Sequence, residues 1–474
     1  MALQEGEELA RRHCVGCHSF PEPTLLDKKT WTGSVLPEMG KRMNVAIYYN
    51  PFESQAQEDT SRSVVTLFPT DQWNKIVEWY KSVAPDYLAA DSSVVAGMDN
   101  KLADFVAKPI SFLNHPTITF IGYDSLSAGM LLGDALEQKL FSLTDKLKPK
   151  ELNQVGVGVA DVKRNLGFLY VLSMGILKPS DQPVGNLTRI APDGHSTLLI
   201  DSLRRPIHFS IADLNQDKAD DIIVCEFGYN EGALSWFEQE GKIFKKHPLK
   251  NLPGAIATRI VDLNRDGRVD IVALMAQANE SILLFANRGG GRFDESTLIQ
   301  FPPSYGSNYF DTIDFDKDGD LDLVVTNGDN GDFSSILKPY HGIRILLNNG
   351  ENKFEQKYFF PVNGIQKVLL KDFDLDGDID MASISFFPDF GKDINESFIY
   401  WKNDGNGQFK KSRFAEAGSG RWICMDAGDI DHDGDEDIVL GNALFTLGEV
   451  PMPIQERWVQ NPISLYVLKN QTVN

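Results

Sequence analysis

The sequence predicts a multidomain protein in which a small all-α domain precedes a large all-β domain built from repeats. Three observations predict it. An acidic loop of the type Asp372-Phe373-Asp374-Leu375-Asp376-Gly377-Asp378-Ile379-Asp380 occurs five times, each copy flanked by short apolar runs such as Asp322 to Thr326 and Asp437 to Gly441. Those runs have the length and the β-branched content of buried strands. The copies begin at Asp213, Asp262, Asp314, Asp372 and Asp429, a spacing of 49 to 58 residues that suits four strands per unit. Residues 1–90 lack the loop and carry helical periodicity instead. At 474 residues the chain exceeds what one compact core supports.

From the amino terminus, Glu5 to His13 reads as a helix with acidic residues at its start, where the helix dipole favours them. It leads into Cys14-Val15-Gly16-Cys17-His18, a C-x-x-C-H sequence. Such a sequence attaches c-type haem: two thiols bond covalently to the porphyrin and the following His ligates iron. A redox dithiol or half of a zinc site are the alternatives, and no second C-x-x-C completes a zinc set. Thr70 to Val83 predicts a closing helix, with Trp73, Ile76, Val77 and Tyr80 on one face, Thr70 as N-cap and Pro85 beyond its end.

On these residues, positions 1–90 resemble a small monohaem cytochrome c domain. The resemblance implies His18 as proximal iron ligand and a methionine as distal ligand. Met39 is favoured because Leu36-Pro37-Glu38-Met39-Gly40 reads as a rigid turn; Met43 is the alternative, Met98 lies beyond the closing helix, and any of them can be simple core packing. Covalent haem also implies a periplasmic or extracellular protein. Met1 to Gly6 lacks the features of a leader peptide, so the expectation is that a leader has been removed.

Residues 91–105 are weakly periodic and are expected to link the two domains. Beyond them, each acidic loop offers oxygens at positions 1, 3, 5 and 9, with glycine at position 6 for a sharp turn. That arrangement suits Ca2+, a hard cation that gathers six to eight oxygens. The candidate ligands are Asp213, Asn215, Asp217 and Asp221; Asp262, Asn264, Asp266 and Asp270; Asp314, Asp316, Asp318 and Asp322; Asp372, Asp374, Asp376 and Asp380; and Asp429, Asp431, Asp433 and Asp437. Lys218 replaces the glycine in the first copy and predicts weaker binding there. Eighteen of these ligands are carboxylates, so up to five Ca2+ ions would offset much of the net charge of −21. That charge, with no basic cluster, argues against nucleic acid as a partner. No apolar run is long enough for a transmembrane helix.

Residues 106–474 resemble the FG-GAP or VCBS repeat, whose units form integrin-like β-propellers. The resemblance implies a seven-bladed propeller with the first strands of its blades ending at Asp124, Asp161, Asp213, Asp262, Asp314, Asp372 and Asp429. Asp124 and Asp161 are not followed by a full loop, so blades one and two should not hold calcium. Lys108 to Leu113 is expected to supply the fourth strand of blade seven and so remove an exposed sheet edge. Asn348 to Phe354 and Asn403 to Phe409 read as hairpin turns between outer strands. Cys225 and Cys424 are expected to be buried free thiols.

Function is expected on the face opposite the acidic loops, where Leu177 to Thr188, Asn327 to Gly342, Phe386 to Ser397 and Gly441 to Pro462 form long connections. Asp329, Asn330, Tyr340, His341, Asp389 and Arg421 are candidates there, each equally readable as a solvated loop residue. The sequence carries no catalytic motif. The leading expectation is electron transfer through haem c, with a calcium-stabilised propeller that binds a redox partner protein or a small-molecule or glycan ligand, as an oxidoreductase component. A carbohydrate-binding or polysaccharide-degrading propeller with an accessory cytochrome domain is the alternative, and an adhesion protein a third.

Overall fold

The structure is a computed structural model that describes residues 2–16, 18–45, 68–89, 94–277, 279–331, 335–405, 407–445 and 448–473. Seven four-stranded antiparallel sheets dominate it. Six are simple meanders of consecutive strands, and together the seven form the blades of a β-propeller. The second strand of blades three to seven, such as Asp221–Glu226 and Asp437–Asn442, is buried at every position. Outer strands such as Ile243–Lys250 have no buried residue. This gradient explains why the apolar runs after the loops are continuous while the outer strands carry many polar residues. Apolar clusters fill the seams between neighbouring blades, as where Phe310 and Leu323 of blade five meet Leu274 and Leu284 of blade four.

Closure follows the expected logic with a shifted register. Phe105–Ile110 pairs antiparallel with Leu465–Asn470, so the fourth strand of blade seven comes from the start of the propeller. The strand lies three residues earlier than Lys108 to Leu113. Phe105 is the reason: its ring packs 5.2 Å from Tyr400 and 5.9 Å from Phe373 in the seam between blades six and seven. At the other end the Ser464 hydroxyl accepts from the backbone N–H groups of Phe112 and Leu113 and draws them out of the ladder.

Blade two also departs from expectation. Its first strand, Val159–Asn165, runs four residues past Asp161, so Asp161 lies within the strand and not at its end. A tight turn at Leu166 and Gly167, both left-handed, leads straight into the second strand. Without an acidic loop, blades one and two are tied by Arg164, which donates to both oxygens of Asp124 at 2.7 and 2.8 Å.

The N-terminal residues form helices Ala2–His13, Leu36–Arg42 and Thr70–Val83, the first starting three residues before its expected position. A π-helical turn at Trp31–Val35 precedes the middle helix. Leu9, Ala10, Cys14, Trp31, Leu36, Trp73, Ile76, Trp79 and Tyr80 form their core. Gly6 lets the first and last helices touch: a Cβ there would come within 2.4 Å of the Lys75 carbonyl. Thr70 is not an N-cap. Pro69 holds that position without a side-chain cap, and Thr70 begins the helix. Nor do Leu36 to Gly40 form a turn: they continue a helical run that starts at Lys28, and the π-helical turn lies just before Pro37, which has no backbone N–H to give.

The segment before the propeller is anchored. Val94 is buried in the seam between blades five and six, and Asp99 exchanges backbone hydrogen bonds with Lys411 and Arg413, in and just after blade six's outer strand, at 3.0 and 2.9 Å. The helices dock on the long-loop face: Ser19 Oγ donates to the Phe301 carbonyl at 3.2 Å, Tyr340 Oη donates to the Leu25 carbonyl at 2.9 Å, and Ile336 packs on the helical core. No helix among the described residues is long and apolar enough to cross a membrane.

Candidate functional site

The five acidic loops share one backbone. Position 4 is left-handed in each, at Gln216, Arg265, Lys317, Leu375 and His432 (φ 56 to 66°), and so is position 6, at Lys218, Gly267, Gly319, Gly377 and Gly434 (φ 73 to 99°). A Cβ on any of those four glycines would meet nothing within 4 Å. Glycine is therefore favoured there by backbone conformation and not by space, which is why Lys218 fits at all.

The position 1 carboxylate organises each turn. Asp262 accepts from the N–H groups of Asp266 and Gly267 at 3.0 and 2.8 Å, and Asp372 from those of Asp376 and Gly377 at 3.1 and 2.9 Å. Asp213 and Asp429 repeat the pattern, and Asp314 accepts from Gly319. Asp217, Asp266, Asp318, Asp376 and Asp433 each accept from the N–H two residues on.

Ligand atoms converge in three loops. Asp314, Asp316 and Asp322 place one carboxylate oxygen each within 4.8 Å of the others, as do Asp372, Asp374 and Asp376, and Asp429, Asp431 and Asp433. Among the described residues, no such carboxylate triad forms in blades three and four, where Asn215 and Asn264 hold position 3. Asp314 Oδ1 and Asp431 Oδ1 are buried without a hydrogen-bond partner. Converging carboxylates with unpaired buried oxygens fit a hard divalent cation.

Position 9 has a second duty that its spacing does not reveal. Asp270, Asp322, Asp380 and Asp437 are buried at the start of their strands. Each accepts from the N–H of position 2 and from the N–H of an asparagine ending the third strand: Asn287, Asn348, Asn403 and Asn470, at 2.8 to 2.9 Å. Burial, with neighbouring carboxylates adding to it, raises Asp380 to about 6 and Asp437 to about 7. Asn470 Nδ2 donates to the carbonyls of Phe373 and Glu436, and so joins blade seven to the loop of blade six. These asparagines form a repeated clamp that a search for oxygen ligands passes over.

At the N-terminal end, Cys14 is a buried thiol just after the first helix. His18 is half-buried, with Nδ1 2.7 Å from the Ser19 carbonyl. A carbonyl only accepts, so Nδ1 carries the proton and Nε2 presents its lone pair. Cys17 lies outside the described residues. Met39, on the Leu36–Arg42 helix, and Met43, just past it, both pack against the core that contains Cys14. The donor set of a thiol, an imidazole with its lone pair available and nearby thioethers fits a c-type haem.

The long connections lie opposite the acidic loops and bury more charge than their sequence suggests. Tyr340 stacks on Tyr305 at 4.8 Å. His341 is buried, its two ring nitrogens lack hydrogen-bond partners, and burial with Lys338 and Arg344 nearby holds its pKa well below the usual imidazole value. Asn330 is buried and accepts from Lys338. Asp329 and Asp389 fold back on their own loops, accepting from Gly331 at 2.8 Å and Gly391 at 3.0 Å. Arg421 lies 3.7 Å over the Phe386 ring and donates to the Phe386 and Phe445 carbonyls; burial lowers it to about 9. Glu396 was not among the candidates. It is buried and pushed up to about 7 by desolvation, while accepting from Asn363 Nδ2 at 3.0 Å and the Asp389 N–H at 2.5 Å. Cys225 and Cys424 are buried free thiols in different blades.

Comparison with known proteins supports the repeat assignment. Residues 213–273, 262–325 and 372–440 match the model of the FG-GAP-like repeat, all within blades three to seven. No curated protein matches the chain. Similar solved structures include the N-terminal domain of Nup159, at 10% identity over 78% of this chain and 97% of that one, with a TM-score of 0.45. A catalytically inactive variant of virginiamycin B lyase from Staphylococcus aureus with quinupristin is similar at 12% identity, over 78% of this chain and all of that one, with a TM-score of 0.48. The chain thus contains FG-GAP repeats in a seven-bladed propeller, an architecture used for binding partners and ligands.

Proposed function

We propose that the protein is an exported electron carrier in which a haem c on the N-terminal helices exchanges electrons with a partner or substrate bound by a calcium-stabilised propeller. The observation that carries this reading is His18, held by the Ser19 carbonyl with Nε2 available, four residues beyond the buried Cys14 thiol. Cys14 and Cys17 would hold the porphyrin, and His18 and Met39 would ligate the iron. The haem would supply one-electron redox chemistry. The residues of the chain do the rest: Ser19 fixes the imidazole tautomer, and the contacts of Ser19 with Phe301 and of Tyr340 with Leu25 set the helices on the long-loop face. There a redox partner, small molecule or glycan would meet the haem-bearing edge. Ca2+ in the acidic loops would neutralise clustered carboxylates and stiffen the opposite face. Periplasmic or extracellular location follows from the same reading.

The test is expression with haem maturation and export, followed by a haem stain on a denaturing gel and an absorption spectrum before and after reduction. Wild type should carry covalent haem that reduces reversibly, Cys14→Ala with Cys17→Ala should lose the covalent link, and Met39→Ala should alter the oxidised spectrum where Met43→Ala does not. Wild-type protein without covalent haem under those conditions would sink the reading.

A further inference from the structure

The five loops share a backbone, but one position beside them differs sharply. On the third strand of each blade, Phe237, Phe285, Leu346, Trp401 and Leu468 pair with the residue that follows loop position 9. The next residue is Glu238, Ala286, Leu347, Lys402 or Lys469, and the charged ones reach the loop while Ala286 and Leu347 pack on apolar neighbours. In blade three, Glu238 accepts from Asn215 Nδ2 at 3.1 Å, returning a carboxylate to the loop where position 3 has lost one. In blades six and seven the residue is a cation: Lys402 Nζ lies 2.7 Å from Asp374 Oδ2, and Lys469 pairs with Asp431 and lies 3.9 Å from Asp433.

We propose that this third-strand residue ranks the loops for Ca2+, with Lys402 and Lys469 acting as resident counter-cations that the ion must displace, so that blade five fills first. The inference rests on the calcium reading above. Blade five combines the three convergent carboxylates of Asp314, Asp316 and Asp322 with an uncharged Leu347, and Asp314 Oδ1 is buried without a partner. Blade seven keeps a demand for an ion that its lysine does not meet. Asp435, at loop position 7 and 1% exposed, accepts from the Val473 N–H at 2.8 Å through Oδ2, while its Oδ1 is buried without a hydrogen-bond partner. An ammonium brings one charge and three donors, whereas Ca2+ brings two charges and gathers six or more oxygens, so the ion can win at a lowered affinity. Lys402 has a partner to retreat to, Asp104 at 3.1 Å, just before the ring-closing strand. Lys469 faces two carboxylates of its own loop and opposes the ion more strongly.

The experiment is calorimetric titration of the calcium-depleted full chain with CaCl2 at fixed ionic strength. Wild type should show tighter and weaker classes of site. Lys402→Met with Lys469→Met, which keeps most of the side-chain volume, should tighten the weaker class by about tenfold, the scale of removing one like charge beside the ion near a surface. Leu347→Lys should weaken the tight class by a similar factor, and far-ultraviolet circular dichroism should report an unchanged fold for each variant. Titrations that coincide for wild type and the double lysine variant would overturn the ranking and leave calcium binding intact. A wild-type chain that binds no calcium would overturn the calcium reading itself, and the ranking with it.

Discussion

Replacing Glu396 with glutamine should stabilise the protein above neutral pH and leave it little changed in acid. Glu396 is 2% exposed, has no ion-pair partner among the described residues, and titrates near 7 in the fold against an ordinary value of 4.5. A folded pKa above the unfolded one means that the native state binds the extra proton. Its favourable contribution is therefore complete below pH 4.5 and declines as pH rises to about 7. At about 1.4 kcal/mol per pH unit, that window costs wild type roughly 3 kcal/mol. Glutamine keeps an acceptor for the Asp389 N–H but loses the charge that strengthens it, a loss of about 1 kcal/mol. The net expectation is that Glu396→Gln is about 1 to 2 kcal/mol more stable than wild type at about pH 8 and equal or slightly less stable at about pH 4.5. Urea unfolding of both proteins at the two pH values measures it, and the difference between variants cancels the titration of the loop carboxylates. A stability difference that is the same at both pH values would refute the reasoning, because it would mean that the carboxyl does not change its proton affinity on folding.

Two further outcomes follow from the repeated geometry. Asn470→Ala should cost about 1 to 3 kcal/mol in chemical denaturation, since it unpairs the buried carbonyl of Phe373 and the part-buried carbonyl of Glu436 together; an effect under about 0.5 kcal/mol would mean that the clamp is incidental. Lys218→Gly relieves a left-handed lysine and should raise stability by up to about 1 kcal/mol, because glycine adopts that backbone freely but also gains freedom in the unfolded chain. A lower melting temperature for Lys218→Gly would contradict the strain argument.

The propeller was legible because its signals are local and repeated. A loop needs its glycine and its alternating carboxylates wherever it occurs, and the buried second strand needs an unbroken apolar run. The seventh blade was legible for a different reason, the sheet edge that would otherwise remain exposed, yet its register was set by Phe105 finding Phe373 and Tyr400 across a seam that sequence spacing cannot measure. Asp161 misled for a similar reason. An aspartate near the middle of a strand resembles one at its end until His208 of the next blade is found 3.0 Å from it. At the candidate sites, ligand spacing revealed the loops but not the lysines beside them, which come from the third strand and meet the loop only after the blade has folded. Glu396 and the Asn287, Asn348, Asn403 and Asn470 clamp were missed because their roles depend on burial and on backbone partners, neither of which leaves a pattern in side-chain type.

The ring-closing pair has a consequence for how the molecule is made. Phe112 and Ser464, which hold the end of that strand, are separated by 352 residues. Phe105–Ile110 leaves the ribosome before any other strand of the propeller, and Leu465–Asn470 leaves after all the rest. Throughout synthesis, then, the nascent chain carries an early strand with an unsatisfied edge and no mate, and six blades accumulate around a ring that stays open. The slowest event should be this last, most distant pairing, since loop closure must be met before the contact rewards it. Until then the acidic loops are already in place along the growing arc, and cations bound there would hold finished blades in shape while the final one is awaited.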